Sequence, residues 1–163
     1  MARQPHDTEE DALTGALASC YAHLARREHS VAELRARLSR AGFEEPTIEE
    51  ALAIVGEQGY LNDERYARLL AEDRRNLDGW GAQRIRERLE RAGVERDLVD
   101  TTLAGFDGTS ERAAALDLLR RRVGQAPTDD RERQRAFGLL VRQGFESEIA
   151  YEAIREYERG AGV

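Results

Sequence analysis

Three histidines (His6, His23, His29) and one cysteine (Cys20) are the side chains best suited to soft-metal ligation or nucleophilic chemistry in these 163 residues. No two of them stand at metal-ligand spacing, and Cys20 has no partner in sequence. His23 and His29 are expected on or near a helix surface. No GxxxxGK[ST] loop occurs, and Gly79-Trp80-Gly81 lacks the surroundings of a phosphate loop. It reads instead as a turn that positions Trp80. Carboxylates are abundant, but pairs such as Glu33/Arg37 and Glu87/Arg91 stand at i, i+4 and support their own helices by a few tenths of a kcal/mol. The sequence therefore predicts no enzyme, no metal and no cofactor.

The residues that could do chemistry as a set are arginines. All 25 basic residues are Arg, a side chain suited to bidentate contact with carboxylate or phosphate. Arg40, Arg91 and Arg142 are separated by 51 residues and then 51 again; Arg37/Arg88 and Arg84/Arg135 keep the same offset. Arg84, Arg88 and Arg91 fall at i, i+4 and i+7 on one helix face, with Arg86 to the side. Residues 74–91 hold six Arg against three acids, and 112–142 hold eight against four. Any one of these is explained as a solvated charge. The phased set, Arg37, Arg40, Arg84, Arg86, Arg88, Arg91, Arg135 and Arg142, is read as a face for an anionic partner. The net charge of −7 resides in residues 1–60 and 61–108, whereas residues 109–163 balance ten Arg against ten acids.

That phasing implies repeated elements to carry it. LSRAGFE at 38–44, LERAGVE at 89–95 and LVRQGFE at 140–146 share the 51-residue offset, with Gly42, Gly93 and Gly144 in register. Leu34/Leu38, Ile85/Leu89 and Ala136/Leu140 form apolar i, i+4 pairs before each glycine. Each glycine falls where a helix wants a left-handed C′ residue. Helices are expected near 9–28, 31–41, 47–57, 63–76, 82–92, 97–105, 110–124, 130–143 and 147–159. Ser30/Glu33 and Thr47/Glu50 read as capping boxes, and Asp97, Ser110 and Asp129 as N-caps. The expected fold is all-α: an elongated, curved array of three tandem three-helix repeats with helix-turn-helix-like units. The expected divisions are a flexible tail at 1–10 and repeats at 11–60, 61–108 and 109–163. Units of about 50 residues bury little apolar surface alone, which favours stacking.

A helix–glycine–helix unit also invites a DNA-binding reading, with the helix after the turn in the major groove. TIEEALAIVGEQ, DLVDTTLAGF and SEIAYEAIREYE occupy that place, and all are acidic on balance. They lack the Arg, Asn or Gln sets that read base edges. A stand-alone DNA-binding regulator is the alternative reading, and a helical adaptor for an unrelated protein is a third. No apolar run approaches membrane-spanning length, and the N-terminus lacks a signal-peptide pattern. With a single cysteine this predicts a cytoplasmic protein, and polar array ends predict a monomer.

YLNDERYARLL at 60–70 and GAQRIRERLERAGV at 81–94 resemble the RecX family of bacterial recombination regulators. Tyr60, Leu61, Asn62, Asp63, Arg65, Tyr66 and Ala67 match one part of its signature; Gly81, Ile85, Leu89 and Gly93 match the other. Asn62 stands where Asp is more usual, and Ala82 where Pro is often found. The resemblance covers roughly residues 15–157 and implies tandem three-helix repeats. It further implies a partner, the RecA filament on single-stranded DNA, whose groove such proteins occupy. Suppression of ATP hydrolysis, strand exchange and coprotease activity would follow, placing the chain in DNA repair, recombination and the SOS response. Direct contact with single-stranded DNA stays open. YLNDERYA itself reads as structural, with Asn62 or Asp63 capping a helix and Tyr60, Leu61 and Tyr66 packing between the first and second repeats.

Overall fold

The computed structural model describes residues 5–161. Among the described residues there are nine helices and no strand: α1 (Pro5–Leu24), α2 (Val31–Arg40), α3 (Glu45–Glu57), α4 (Asp63–Asn76), α5 (Ala82–Arg91), α6 (Arg96–Leu103), α7 (Gly108–Arg122), α8 (Asp130–Arg142) and α9 (Ser147–Ala161). Helix α1 begins at Pro5, inside the segment read as a tail; residues 1–4 lie outside the described residues, as do the side chains of 5–7, including His6. None of these helices is long and apolar enough to cross a membrane.

Three expected caps are corrected. Helix α3 begins at Glu45 behind Glu44, with no side-chain cap, so Thr47 lies inside the first turn. Pro46 occupies that turn, where its fixed φ and missing N–H favour an early start. Helix α6 starts at Arg96, which puts Asp97 in its first turn, where an acid suits the helix dipole. Helix α7 is capped by Asp107, whose side chain accepts the Ser110 N–H at 2.8 Å. The Ser30/Glu33 box and the Asp129 cap form as read.

The chain packs as two compact units, residues 1–67 with 91–95, and residues 68–90 with 96–163. In the first, α1, α2 and α3 enclose Ala16, Cys20, Leu34, Leu38, Ile48, Val55 and Leu61, with Phe43 against the edge. Leu34 and Leu38 are fully buried, and truncating either to Ala would cost about 2–5 kcal/mol. In the second, α7, α8 and α9 enclose Leu118, Leu119, Leu140, Phe145, Ala150 and Ile154.

The repeat is visible as geometry. Gly42, Gly93 and Gly144 have φ of +91°, +75° and +92°. At two of them the full Schellman pattern is present: Gly42 N–H to Ser39 O at 3.0 Å with Phe43 N–H to Leu38 O at 3.2 Å, and Gly144 N–H to Val141 O at 3.0 Å with Phe145 N–H to Leu140 O at 3.1 Å. The bond reaching back five residues turns the chain so that Phe43 and Phe145 fold onto the helix just ended.

The YLNDERYA segment organises the first unit. Asn62 caps α4, its Oδ1 accepting the Arg65 N–H at 2.8 Å. Asp63 caps a different helix: its Oδ1 accepts the Val31 N–H of α2 at 2.8 Å. Burial pushes the Asp63 carboxyl above its usual range, against the lowering effect of that N–H. Arg65 binds both oxygens of Glu28 at 2.9 and 3.2 Å and the carbonyls of Gly59 and Tyr60. Leu61 and Tyr66 are buried, with the Tyr66 hydroxyl on Glu33 at 3.3 Å, but Tyr60 is 57% exposed and meets Tyr21 edge-on at 5.9 Å.

Candidate functional site

In the first unit, Arg37 is half-buried and Arg40 exposed on α2, with Arg40 Nε donating to Ala36 O at 3.2 Å. His29 corrects an expectation: it is 2% exposed, not at the surface, and its ring meets His23 edge-on at 5.7 Å. The chain leaves α1 at Leu24 and turns, so 25–30 form a connector instead of a last helical turn, and His29 faces inward. Burial first, and then Arg27, push its pKa below the ordinary value, against the opposing pull of Glu33 with a carboxylate oxygen 3.4 Å from Nδ1.

In the second unit, Arg84 is half-buried and internally engaged. Its guanidinium lies 4.2 Å from the Trp80 ring centroid and donates to Gln143 Oε1 and to Arg142 O. Arg74 approaches the same ring at 5.1 Å and pairs with Asp78 at 2.6 Å, so Trp80 is flanked by two cations. Arg86 pairs with Asp100 at 2.6 Å. Arg88 is half-buried and interacts within the protein, as does Arg91, which belongs to the first unit. Arg135 and Arg142 are exposed on α8. The structure thus brings Arg84 to the C-terminal end of α8, beside the Arg142 carbonyl, and brings Arg74 and Arg84 together on the Trp80 ring. Among the described residues, no group of three or more His, Cys, Asp or Glu could hold a metal ion.

Two features escaped sequence reasoning. Arg75 lies between Phe106 and Phe145, at 4.5 and 5.7 Å from their centroids, and pairs with the buried carboxylate of Glu111. The other Glu111 oxygen accepts the Ala82 N–H at the start of α5, at 3.0 Å. One carboxylate therefore satisfies both a buried cation and a helix N-terminus. The second feature follows the repeat. Arg35 on α2 binds Glu49 on α3 through two hydrogen bonds, at 2.6 and 3.1 Å. A shift of 51 turns this pair into Arg86–Asp100, which is also bonded. A second shift reaches Phe137 and Tyr151, which are stacked at 4.5 Å with 27° between their planes. The signal was present in the offset, but only a contact across two helices makes these positions a pair.

The fold is thus that of an all-α repeat protein of three-helix modules, in each of which a left-handed glycine joins the second helix to the third. The family models for the first, second and third three-helix domains of RecX match residues 16–53, 62–103 and 110–154. Relatives named Regulatory protein RecX include one from Deinococcus radiodurans, 36% identical over 91% of this chain and 71% of its own length. Others come from Amycolatopsis mediterranei (32% identical, 88% and 83% covered) and Xanthomonas axonopodis pv. citri (36% identical, 81% and 81% covered). The crystal structure of RecX from Lactobacillus salivarius superposes with a TM-score of 0.78 at 17% identity, covering 91% of this chain and 98% of that one. The chain belongs to the RecX family.

Proposed function

We propose that the protein is a non-enzymatic regulator of homologous recombination. It binds the RecA filament on single-stranded DNA, lies in the filament groove and inhibits ATP hydrolysis, strand exchange and coprotease activity. The observation that carries this reading is the match of all three family domains in order along one chain, beside relatives named as regulatory proteins. We read the sequence repeats at 11–60, 61–108 and 109–163 as the functional modules of a cytoplasmic monomer acting in DNA repair and the SOS response.

The phased arginines are the proposed contact set, and their environments rank them. Arg84 and Arg86 already hold Gln143 and Asp100, so their share is to shape the surface. Arg37, Arg40, Arg135 and Arg142, with Arg88 and Arg91, which also interact within the protein, are the residues proposed to meet carboxylate or phosphate on the filament.

The test is RecA ATPase activity on single-stranded DNA with and without the protein. The expected result is inhibition by the wild type, weakened about tenfold or more in the Arg88→Glu/Arg91→Glu variant at unchanged helicity, because each reversal replaces an attraction with a repulsion. Inhibition equal to wild type removes these two residues from the site. No inhibition by the wild type, with tight salt-dependent binding to free duplex, favours the stand-alone DNA-binding regulator.

A further inference from the structure

We infer that the third repeat carries an apolar docking patch, Phe137, Val141 and Tyr151, which seats an apolar side chain of a protein partner. The molecule's other two repeats serve as internal controls. At the position of Phe137 they have Arg35 and Arg86; at Tyr151, Glu49 and Asp100; at Val141, Ser39 and Glu90. Six charged or polar residues in the siblings thus correspond to three apolar ones here. The helix-to-helix contact is kept throughout, since Arg35–Glu49, Arg86–Asp100 and Phe137–Tyr151 each bridge the second and third helices of their repeat. The fold is therefore satisfied by an ion pair at this place, and holding the helices together does not require aromatic rings.

Phe137 packs in part against the core, but Tyr151 and Val141 are not hidden. Tyr151 is 54% exposed and Val141 42% exposed, one turn beyond the half-buried Phe137 on α8. Leaving such side chains in water forgoes burial that a partner would supply. Tyr and Phe beside Arg are the residue types that dominate protein interfaces. Arg155 follows Tyr151 by one turn of α9; it is exposed, makes no ion pair among the described residues, and stands where the siblings have Ala53 and Ala104. It supplies a rim cation for a carboxylate next to the incoming apolar side chain.

Charge selects protein over nucleic acid as the occupant. Helix α9, which carries Tyr151, holds Glu148, Glu152, Glu156 and Glu158 against Arg155 and Arg159. A base stacked on Tyr151 would bring its phosphates against that acidic helix. An apolar side chain brings no charge to that helix, and a single carboxylate beside it is met by Arg155. This inference rests on the regulatory reading above and deepens it: the patch meets the protein subunits of the filament, not its DNA strand.

The discriminating variant restores the siblings' chemistry, Phe137→Arg/Tyr151→Glu, and is expected to fold because two copies of that pair already do. Val141→Glu is the independent second variant. Each is measured for thermal unfolding, RecA ATPase inhibition, binding to labelled oligo-dT, and sedimentation. The proposal expects a fall in inhibition of about tenfold or more for either variant, with native-like unfolding, unchanged oligo-dT binding and unchanged sedimentation. Inhibition equal to wild type in both variants overturns it. So does loss of oligo-dT binding, which assigns the patch to nucleic acid, or a wild-type dimer that the variants dissolve, which assigns it to self-association. A wild type that leaves the ATPase untouched sinks the regulatory reading and this inference together.

Discussion

Gly81 and Gly144 touch backbone to backbone. Gly81 N–H donates to Gln143 O at 2.7 Å, and a Cβ on Gly81 would overlap the Gly144 carbonyl. A Cβ on Gly144 would overlap the backbone and Cβ of Arg84, whereas one on Gly42, at nearly the same φ, would meet nothing within 4 Å. The three repeat glycines therefore have one conformational reason in common and different steric ones. Gly42→Ala should cost about 1–2 kcal/mol, the strain of a left-handed alanine. Gly144→Ala adds a displaced backbone contact and should cost roughly 2–3 kcal/mol more. Urea midpoints of the two variants decide this, and equal losses would contradict it.

His29 gives the pH dependence at the same scale. Its folded pKa is lowered from the ordinary 6.5, so between that lowered value and 6.5 the unfolded chain binds more protons than the folded one. Stability from this group is complete above 6.5 and is lost as pH falls toward the lowered value. Arg27, Arg37, Glu33 and His23 are the groups acting on it. Urea midpoints at mildly acidic and mildly alkaline pH should differ more in the wild type than in His29→Gln.

At the scale of elements, the Arg75–Glu111 pair links α4 to α7 while Glu111 also caps α5. Both side chains are shielded, at 15% and 8% exposure, and Arg75 Nη1 has no hydrogen-bond partner. Glu111→Ala leaves a guanidinium without its counter-charge and should cost about 3–5 kcal/mol. The exposed pair Arg68–Glu72 is the control, and Glu72→Ala should change stability by about 0.5 kcal/mol or less. Thermal unfolding of both variants separates the cases.

What could be read from sequence at this scale was what periodicity controls. Leu34/Leu38 and Ile85/Leu89 declared their helices because burial repeats with the helical turn, and Gly42 declared an end because few residues accept that φ. Caps were less legible where two polar residues competed: Asp107 took the place given to Ser110, and Pro46 moved the start of α3 ahead of Thr47. The Arg75–Glu111 pair was illegible because 36 residues separate partners that only packing brings together. For the candidate site, sequence supplied the phase of the arginines but not their occupation. Arg84 opens the i, i+4, i+7 stripe and Arg86 lies to its side, yet Gln143, Trp80 and Asp100 already hold them.

For the whole molecule, the sequence period and the packing divide the chain at different places. The period breaks near residue 60, whereas the first compact unit extends through residue 67 and takes in 91–95. The reasons are specific. Within that unit, Ser30 Oγ donates to Ala92 O, Val31 N–H donates to Asp63, and Glu28 pairs with Arg65. A fragment ending at residue 60 lacks all three partners and should show reduced helicity and no cooperative melt. A fragment ending at residue 95 keeps them and should unfold cooperatively by circular dichroism.

That mismatch constrains how such a chain can lengthen or shorten. Duplicating or deleting one period inserts or removes a stretch whose borrowed donors and acceptors belong to its neighbour. A newly added copy must therefore lend a carboxylate and a carbonyl to the copy before it, as the third does through Glu111 and Gln143, and the last copy in the row has no later copy to borrow from. That copy is also the one in which the charged pair between the second and third helices has given way to stacked aromatic rings.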